Sequence, residues 1–214
     1  MSAYYKDIVS IPVRNNVQLE GKLIVEKDSI GLVIFSHGSG SSRKSPRNNH
    51  VADILRGEKI STLLFDLLTE REDLNYENRF DIPLLTERLV DVTKWVQSRE
   101  ITKNLKIGYF GASTGAASAL RASVKIKNDI NALVSRGGRV DMAEMVLDQV
   151  NSATLFIVGS NDYQVLKLNQ QAYEKLKCEK SLKVIHDAGH LFQEPGKLEK
   201  FSQLETDWFK THFL

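Results

Sequence analysis

The stretch Lys106–Leu120, KIGYFGASTGAASAL, joins a short apolar run to an alanine-rich helical pattern. Gly111 and Gly115 stand two residues to either side of Ser113, in a G-x-S-x-G arrangement. A chain that passes from strand to helix over so few residues strains the backbone of the central residue, and large neighbouring side chains would clash there. Glycine removes those clashes, so the pattern predicts that the Ser113 hydroxyl projects from the edge of a sheet. The same small residues would also suit a plain helix–strand contact.

Apolar runs without polar alternation recur along the chain and are typical of strands covered on both faces. After two leading strands, YKDIVSIPV and VQLEGKLIVE, these runs are GLVIFSHG, ISTLLFDLL, LKIGYFGAS, INALVSRGG, ATLFIVGSND and LKVIHDAGH. Because helical patterns lie between them, we expect a doubly wound α/β fold: a mostly parallel sheet of about eight strands with helices on both faces. Ligands bind at the carboxyl edge of such sheets.

The helical segments have recognisable starts and faces. PRNNHVADILRGE follows Ser45, a residue type that caps helices, and places Pro46 at the first helical position. The segment IPLLTERLVDVTKWVQSR has apolar residues three and four positions apart, namely Leu85, Leu89, Val92 and Val96. Further helices are predicted over residues 116–127, 141–150, 165–177 and 197–210.

The composition is that of an ordinary globular chain. Its 214 residues include 29 basic and 27 acidic side chains, a formal net charge of +2, which indicates neither a nucleic-acid nor a membrane partner. No apolar run approaches the ~20 residues that span a bilayer, and the N-terminus lacks a signal-peptide pattern. Cys178 is the only cysteine, so no intrachain disulfide forms. With no linker-like tract, we expect a single cytoplasmic domain over residues 1–214.

A serine hydroxyl becomes a nucleophile when a base removes its proton. Asp162 follows the run TLFIVGS and His190 follows LKVIHDAG, so both stand on loops after later strands. His190 would accept the Ser113 proton and pass it to the leaving group, while Asp162 would orient the imidazole. The sequence therefore predicts a catalytic group of Ser113, Asp162 and His190.

Other acidic and histidine residues compete for these roles. Asp141 follows INALVSRGG and is the alternative to Asp162 as the acid, although Asp162 closes a strand in the more suitable position. Asp187 lies only three residues from His190, a poor place from which to orient its ring, and His186 ends a strand as a packed or surface residue. HDAGH lacks the spacing of a zinc site, so we expect no metal.

The chain resembles the α/β-hydrolase superfamily and, within it, the small dienelactone-hydrolase-like branch, from about Tyr4 to the C-terminus. The resemblance rests on SHGSGSSRKSPRN, LLTEREDLNYENRFDI, GASTGAASAL, SRGGRV, VGSNDYQV and DAGHLF. It implies a hydrolase without a cofactor, in which the site residues occur in the order serine, aspartate, histidine. The best-known dienelactone hydrolases carry cysteine at the turn where this chain has Ser113, so serine-esterase chemistry is implied instead.

The resemblance also implies an oxyanion hole, a group of N–H donors for the negative oxygen that forms during acyl transfer. Its donors would be the backbone amides of Thr114 and of Ser39, with Gly40 as the alternative to Ser39. His37 would order this loop through a side-chain hydrogen bond. The loop SRGGRVDMA is too short for a large cap domain, and the polar segment 69–81 either flanks the site or is an ordinary surface loop.

Basic residues cluster at two of these loops. Arg43, Lys44 and Arg47 lie near the start of the first predicted helix, and Arg136 and Arg139 precede a later one. Cations at a helix N-terminus oppose its dipole by roughly 0.3–1 kcal/mol each, so helix stability does not explain them. They are either solvated residues of a polar rim, or Arg47, Arg136 and Arg139 attract a substrate carboxylate or phosphate.

These observations favour a serine hydrolase that cleaves carboxylic esters of small or soluble substrates through an acyl-Ser113 intermediate. A thioesterase would use the same residues. A hydrolase fold that binds a ligand without catalysis is the alternative from another class, and the joint presence of all three catalytic residue types argues against it. The expected partner is a small-molecule ester or thioester, with or without an anionic group.

Overall fold

The computed structural model describes residues 4–127 and 129–214. Its strands are β1 (Tyr5–Val13), β2 (Val17–Val25), β3 (Gly31–Ser36), β4 (Ile60–Phe65), β5 (Ile107–Ala112), β6 (Ile130–Arg136), β7 (Ala153–Gly159) and β8 (Lys180–Ile185). They form one sheet in the order β1-β2-β4-β3-β5-β6-β7-β8. β2 pairs antiparallel with β1 and β4, and all other neighbours pair parallel. The predicted fold class is confirmed.

Helices cover both faces of this sheet, as the two apolar cores show. The α-helices are α1 (Pro46–Gly57), α2 (Glu70–Asp73), α3 (Ile82–Ser98), α4 (Thr114–Ile126), α5 (Tyr163–Lys175) and α6 (Lys197–Phe213). Along β3, Leu32 and Ile34 enter the core beneath α3 and α4, whereas Val33 and Phe35 enter the core beneath α1 and α6. Every side chain of β3, β4, β5 and β7 is buried, which explains the continuous apolar runs.

Two helices follow the sequence prediction closely. The Ser45 hydroxyl accepts a hydrogen bond from the Asn48 backbone amide, and Pro46 is the first residue of α1. The predicted stripe of α3 is buried along its length, at Leu85, Leu89, Val92 and Val96. In the described part of the chain, no helix combines the length and apolar character that a bilayer crossing requires.

One connection differs from the prediction. Residues Val140–Gln149 wind as a 3₁₀ helix, where an α-helix over 141–150 was expected. A 3₁₀ helix rises about 2.0 Å per residue against about 1.5 Å, so the same ten residues return further along the sheet. The polar segment 69–81 contains α2 and a 3₁₀ helix, Tyr76–Phe80.

Candidate active site

Ser113 occupies the tight turn between β5 and α4 with φ 50° and ψ −119°. A Cβ atom on Gly115 would lie 2.1 Å from the Ser36 carbonyl oxygen, and one on Gly111 would lie 2.5 Å from the Ala116 Cα. Neither contact is sterically possible, so both glycines let the turn close against β3 and α4.

Ser113 and Asp162 are the N-cap residues of α4 and α5, yet neither side chain makes a capping hydrogen bond. Serine and aspartate are favoured at this position because their oxygens bind the free amides of the first helical turn. Ser45, Thr69 and Asp81 do so at α1, α2 and α3. The oxygens of Ser113 and Asp162 are therefore free for other contacts.

The Asp162 carboxylate contacts His190. Its Oδ2 lies 2.6 Å from His190 Nδ1. A carboxylate can only accept, so Nδ1 carries the proton and donates it, which leaves the Nε2 lone pair available. The His190 side chain is 38% exposed and that of Asp162 is 14% exposed. The imidazole is therefore accessible to solvent, whereas the carboxylate is more deeply buried.

The turn after β6 lies between Ser113 and His190. The Ser113 amide donates to the Arg136 carbonyl oxygen at 3.1 Å, and the Ser113 carbonyl oxygen accepts from the Arg139 amide at 2.9 Å. Between them, Gly137 has φ 51°, and a Cβ atom there would lie 3.2 Å from His190 Nδ1. One short turn thus contacts the backbone of the serine and the ring of the histidine. The Ser113 hydroxyl makes no hydrogen bond to another described residue.

The His190 loop is braced by the loop after β7. The Asn161 amide donates to the Ala188 carbonyl oxygen at 2.9 Å, and the Asp187 amide donates to the Ser160 hydroxyl at 2.8 Å. A Cβ atom on Gly159 would lie 2.1 Å from the Ala188 oxygen, so only glycine permits this approach. Sequence reasoning missed this brace; its only signal was the Gly-Ser pair before Asn161.

The competing acidic residues have other partners. The Arg139 side chain donates to both carboxylate oxygens of Asp141, at 2.9 and 2.8 Å. His186 and Asp187 pair with each other, with side chains 86% and 69% exposed. Among the residues that the structure describes, the carboxylate hydrogen-bonded to the His190 ring is that of Asp162.

Arg136 is buried and not accessible at the surface, contrary to the hypothesis that it binds substrate. The residue is 7% exposed. Its guanidinium carbon lies 5.2 Å from the Phe110 ring centroid and 5.7 Å from that of Phe201, and Nη2 donates to Asn48 Oδ1 at 3.0 Å. Burial lowers the pKa of Arg136 to about 10. Strand alternation directs this side chain into the core beneath α1 and α6, away from the turn that holds Ser113.

Arg47 and Arg139 do not form an anion-binding rim with Arg136. The charge of Arg139 is balanced by Asp141, which raises the arginine's pKa. Arg47 is half-buried, its Nε has no hydrogen-bond partner among the described residues, and its charge lowers the pKa of Arg136. Arg47 and Arg136 therefore belong to an internal polar cluster.

His37 fastens the loop after β3, as the sequence predicted. Its Nε2 accepts from the Leu67 amide at 3.1 Å, so Nδ1 carries the proton and donates to the Gly38 carbonyl oxygen at 3.0 Å. Burial lowers the pKa of His37, which favours this neutral form. The loop is thereby tied to the end of β4.

The predicted oxyanion donors are close together, but one of them has a partner. The Ser39 amide donates to Thr114 Oγ1 at 2.9 Å. The Thr114 amide begins α4 and has no acceptor in its own helix. The Gly40 amide makes no hydrogen bond to another described residue.

A cleft of about 620 Å³ borders the same loop, lined by His37, residues 41–44 and part of the segment 69–81. This volume lies in the range of small-molecule pockets. A second, smaller depression is lined by Gly38, Ser39 and Gly40 on one side and by Asp73 and Arg79 on the other. The polar segment 69–81 therefore flanks the loop that precedes α1.

Taken together, the sheet, the serine turn and the loop order define an α/β-hydrolase fold. Solved structures share this fold at low sequence identity. Est1E from Butyrivibrio proteoclasticus is 14% identical with a TM-score of 0.82, covering 99% of both chains. A Pyrococcus furiosus esterase is 18% identical with a TM-score of 0.81, covering 98% of this chain and 92% of that chain.

A dienelactone hydrolase from Anabaena variabilis is far more similar: 45% identical, with a TM-score of 0.94, covering 97% of this chain and 98% of that chain. The chain therefore belongs to the dienelactone hydrolase family, and the resemblance noted from its motifs is confirmed.

The curated relatives are longer proteins. Over 200 residues the chain is 48% identical to a Mycobacterium tuberculosis protein named as a candidate phosphoribosyl transferase. The match covers 94% of this chain and 45% of the relative, so the chain spans somewhat less than half the length of the curated relatives it matches. No protein-family model matches the chain.

Proposed function

We propose that this protein is a serine hydrolase that cleaves carboxylic esters through an acyl-Ser113 intermediate. The observation that carries the proposal is the 2.6 Å bond between Asp162 and His190, in a chain whose Ser113 stands at a strained turn with no capping hydrogen bond from its hydroxyl. A serine, an oriented histidine and a carboxylate that fixes its tautomer make up the machinery of acyl transfer.

The reaction proceeds in two balanced halves. Ser113 Oγ attacks the ester carbonyl carbon while its proton passes to His190 Nε2, and collapse of the tetrahedral intermediate expels the alcohol, which takes that proton. A water molecule then attacks the acyl-serine, again giving a proton to His190, and the acid leaves as the Ser113 hydroxyl is restored. Asp162 keeps Nδ1 protonated throughout and stabilises the positive imidazolium.

The N-terminus of α4 supplies the electrostatic part of the mechanism. The Thr114 amide points from the first turn of a thirteen-residue helix, whose dipole favours negative charge at this end. Charge that develops on the carbonyl oxygen in the transition state is stabilised there more than the neutral ester is, which lowers the barrier.

The relatives' names support part of this proposal. A lactone is a cyclic ester, so the activity named for the Anabaena protein uses the same acyl-transfer step. We do not extend the transferase name to this chain, because it belongs to a protein more than twice as long as the matched stretch. Most of the residues that line the cleft beside the loop 37–44 are of polar or charged types, and we propose it as the site for part of a small polar substrate.

Labelling with a fluorophosphonate tests the proposal directly, because the probe reacts with an activated serine. We expect a single labelled peptide containing Ser113, lost in Ser113→Ala and kept in Ser45→Ala, whose hydroxyl caps α1. Folded protein that never labels and hydrolyses no ester would contradict the proposal and favour a binding module. An oxygen ester and a thioester with the same acyl group, compared by kcat/KM, separate an esterase from a thioesterase.

A further inference from the structure

The Thr114 side chain has an unexplained hydrogen-bonding arrangement. Thr114 is 2% exposed, and its Oγ1 accepts from the Ser39 amide at 2.9 Å. The amide that the family resemblance nominates as an oxyanion donor is thus directed at a neighbouring hydroxyl.

Among the described residues, the proton of that hydroxyl has no acceptor. A threonine hydroxyl has one proton to donate as well as lone pairs to accept. Thr114 Oγ1 donates to no atom of the described residues. Of the other buried threonines, Thr86, Thr93, Thr102 and Thr154 each donate to a backbone carbonyl oxygen, whereas Thr62 and Thr206 do not. Most buried hydroxyl protons in proteins are paired. Thr114 differs from Thr62 and Thr206 in its position directly after Ser113, where the carbonyl oxygen of an arriving substrate can supply the acceptor.

The acceptor's position follows from covalent geometry. The amide nitrogen and the hydroxyl oxygen of one threonine are separated only by Cα and Cβ, so a single oxygen atom can accept from both. In the proposed reaction, the oxygen of a carbonyl group under attack by Ser113 would lie at the amide of the next residue, Thr114. A Cβ atom on Gly38 would lie 3.1 Å from the Ser113 Cβ, so the loop that carries Ser39 closes the other side of this position.

We infer that the Thr114 hydroxyl is itself an oxyanion donor, and that the Ser39 amide acts through it by holding and polarising it rather than by touching the substrate. This inference rests on the proposed acyl-transfer function. A hydroxyl that accepts one hydrogen bond becomes a stronger donor in the next, so the two groups act in series. Thr114 is then a catalytic residue with two donors, and Ser39 is a positioning residue.

Three substitutions of Thr114 test the assignment. Thr114→Val keeps the shape and removes the hydroxyl, and we expect kcat for an activated aryl ester to fall about 100-fold with little change in KM, the loss typical of one oxyanion donor. Thr114→Ser keeps the hydroxyl, so most of the activity should remain. Thr114→Ala should resemble Thr114→Val.

A transition-state analogue separates catalysis from a structural role. A trifluoromethyl ketone forms a hemiketal oxyanion on the serine, so its inhibition constant should rise in Thr114→Val by the factor that kcat/KM falls. The matched control is Thr86→Val, which removes a buried helical hydroxyl bonded to the Ile82 carbonyl oxygen at 2.7 Å, and activity should be unchanged.

The outcomes distinguish the inference from the function on which it rests. Wild-type protein that labels at Ser113, with Thr114→Val equally or more active, would overturn the inference and leave the proposed function, because the freed Ser39 amide would then be the donor. A fall in kcat without a matching loss of analogue affinity would also overturn it. Wild-type protein that neither labels nor hydrolyses esters would overturn both.

Discussion

Ser113 has a positive φ, which residues other than glycine rarely adopt. This conformation is expected to reduce the stability of the fold by about 1–3 kcal/mol. The turn retains serine there although glycine would fit with less strain. Its hydroxyl does not cap α4, so no capping hydrogen bond of the side chain offsets the strain. An exposed hydroxyl at this turn is what the proposed nucleophile requires.

Replacement of Ser113 should therefore separate stability from activity. We expect Ser113→Gly to raise the free energy of unfolding by about 1 kcal/mol, because the strain disappears with the Cβ atom. Ser113→Ala keeps the Cβ and should unfold like the wild type, and both variants should be inactive. Urea denaturation with an ester assay measures this; equal stabilities for the two variants would contradict it.

The choice between the two candidate acids depends on their partners. Asp162→Asn should lower kcat by about 10³- to 10⁴-fold, because an amide no longer holds Nδ1 protonated and the wrong tautomer faces Ser113. Asp141→Asn loses only the pairing with Arg139, so kcat should stay close to that of the wild type. Steady-state kinetics on the two isosteric variants decide between them, and a larger loss in Asp141→Asn would reverse the assignment.

Helices and strands bring the site together through close backbone approaches. α4 begins directly against the end of β3 because Gly115 has no side chain, and the loops after β7 and β8 meet because Gly159 has none. These contacts set the distances between loops that carry Ser113, Asp162 and His190. The precision of the site therefore comes from the edge of the sheet as much as from its functional side chains.

Adding one methyl group to α4 tests whether the close approach of its first turn to β3 sets the geometry of the site. A Cβ atom on Gly115 would lie 2.1 Å from the Ser36 carbonyl oxygen, so Gly115→Ala must push the helix N-terminus away from β3 and lower both kcat and the melting temperature. The control is Gly57→Ala in α1, where nothing lies within 4 Å of the added atom. Alanine there should stabilise the protein by about 0.5–1 kcal/mol without changing kcat. Unchanged kinetics in Gly115→Ala would show that the site tolerates the shift.

Helix α6 packs against one face of the sheet, beneath strands whose ends carry the candidate site. Glu205 of α6 is fully buried, and neither of its carboxylate oxygens has a hydrogen-bond partner among the described residues. Burial raises the pKa of Glu205 well above its usual value, and the neighbouring charge of Arg136 opposes that shift. Arg136 in turn belongs to the strand whose last carbonyl oxygen accepts the Ser113 amide. Arg136 and Glu205 thus form a buried polar pair in the core, on the side of β6 that faces away from the serine turn.

This pair should make stability depend on pH. A folded-state pKa above the unfolded value of about 4.3 means that the stabilising effect of Glu205 is complete at lower pH and is lost as pH rises through the folded pKa. Wild-type protein should therefore lose stability relative to Glu205→Gln between pH 5 and 8, by at most about 1.4 kcal/mol per pH unit. Urea unfolding across this range measures it, with exposed Glu199→Gln on the same helix as the control. Parallel curves for wild type and Glu205→Gln would contradict the prediction.

The sequence by itself determined the alternation of strands and helices along the chain and the glycines about Ser113, and it favoured Asp162 over Asp141 as the partner of His190. Apolar runs, cap residues and turn glycines report local preferences, and the strand ends of a parallel sheet must share one edge. Only the tertiary structure decided that Arg136 points into a core, that Asp141 binds Arg139, and that the Ser39 amide meets the Thr114 hydroxyl. Asp141 and Arg139 are only two residues apart, but their contact depends on the conformation of the loop, and the direction of Arg136 depends on how β6 lies in the sheet. The Ser39 amide and the Thr114 hydroxyl belong to segments 75 residues apart, and no local pattern along the chain encodes their distance.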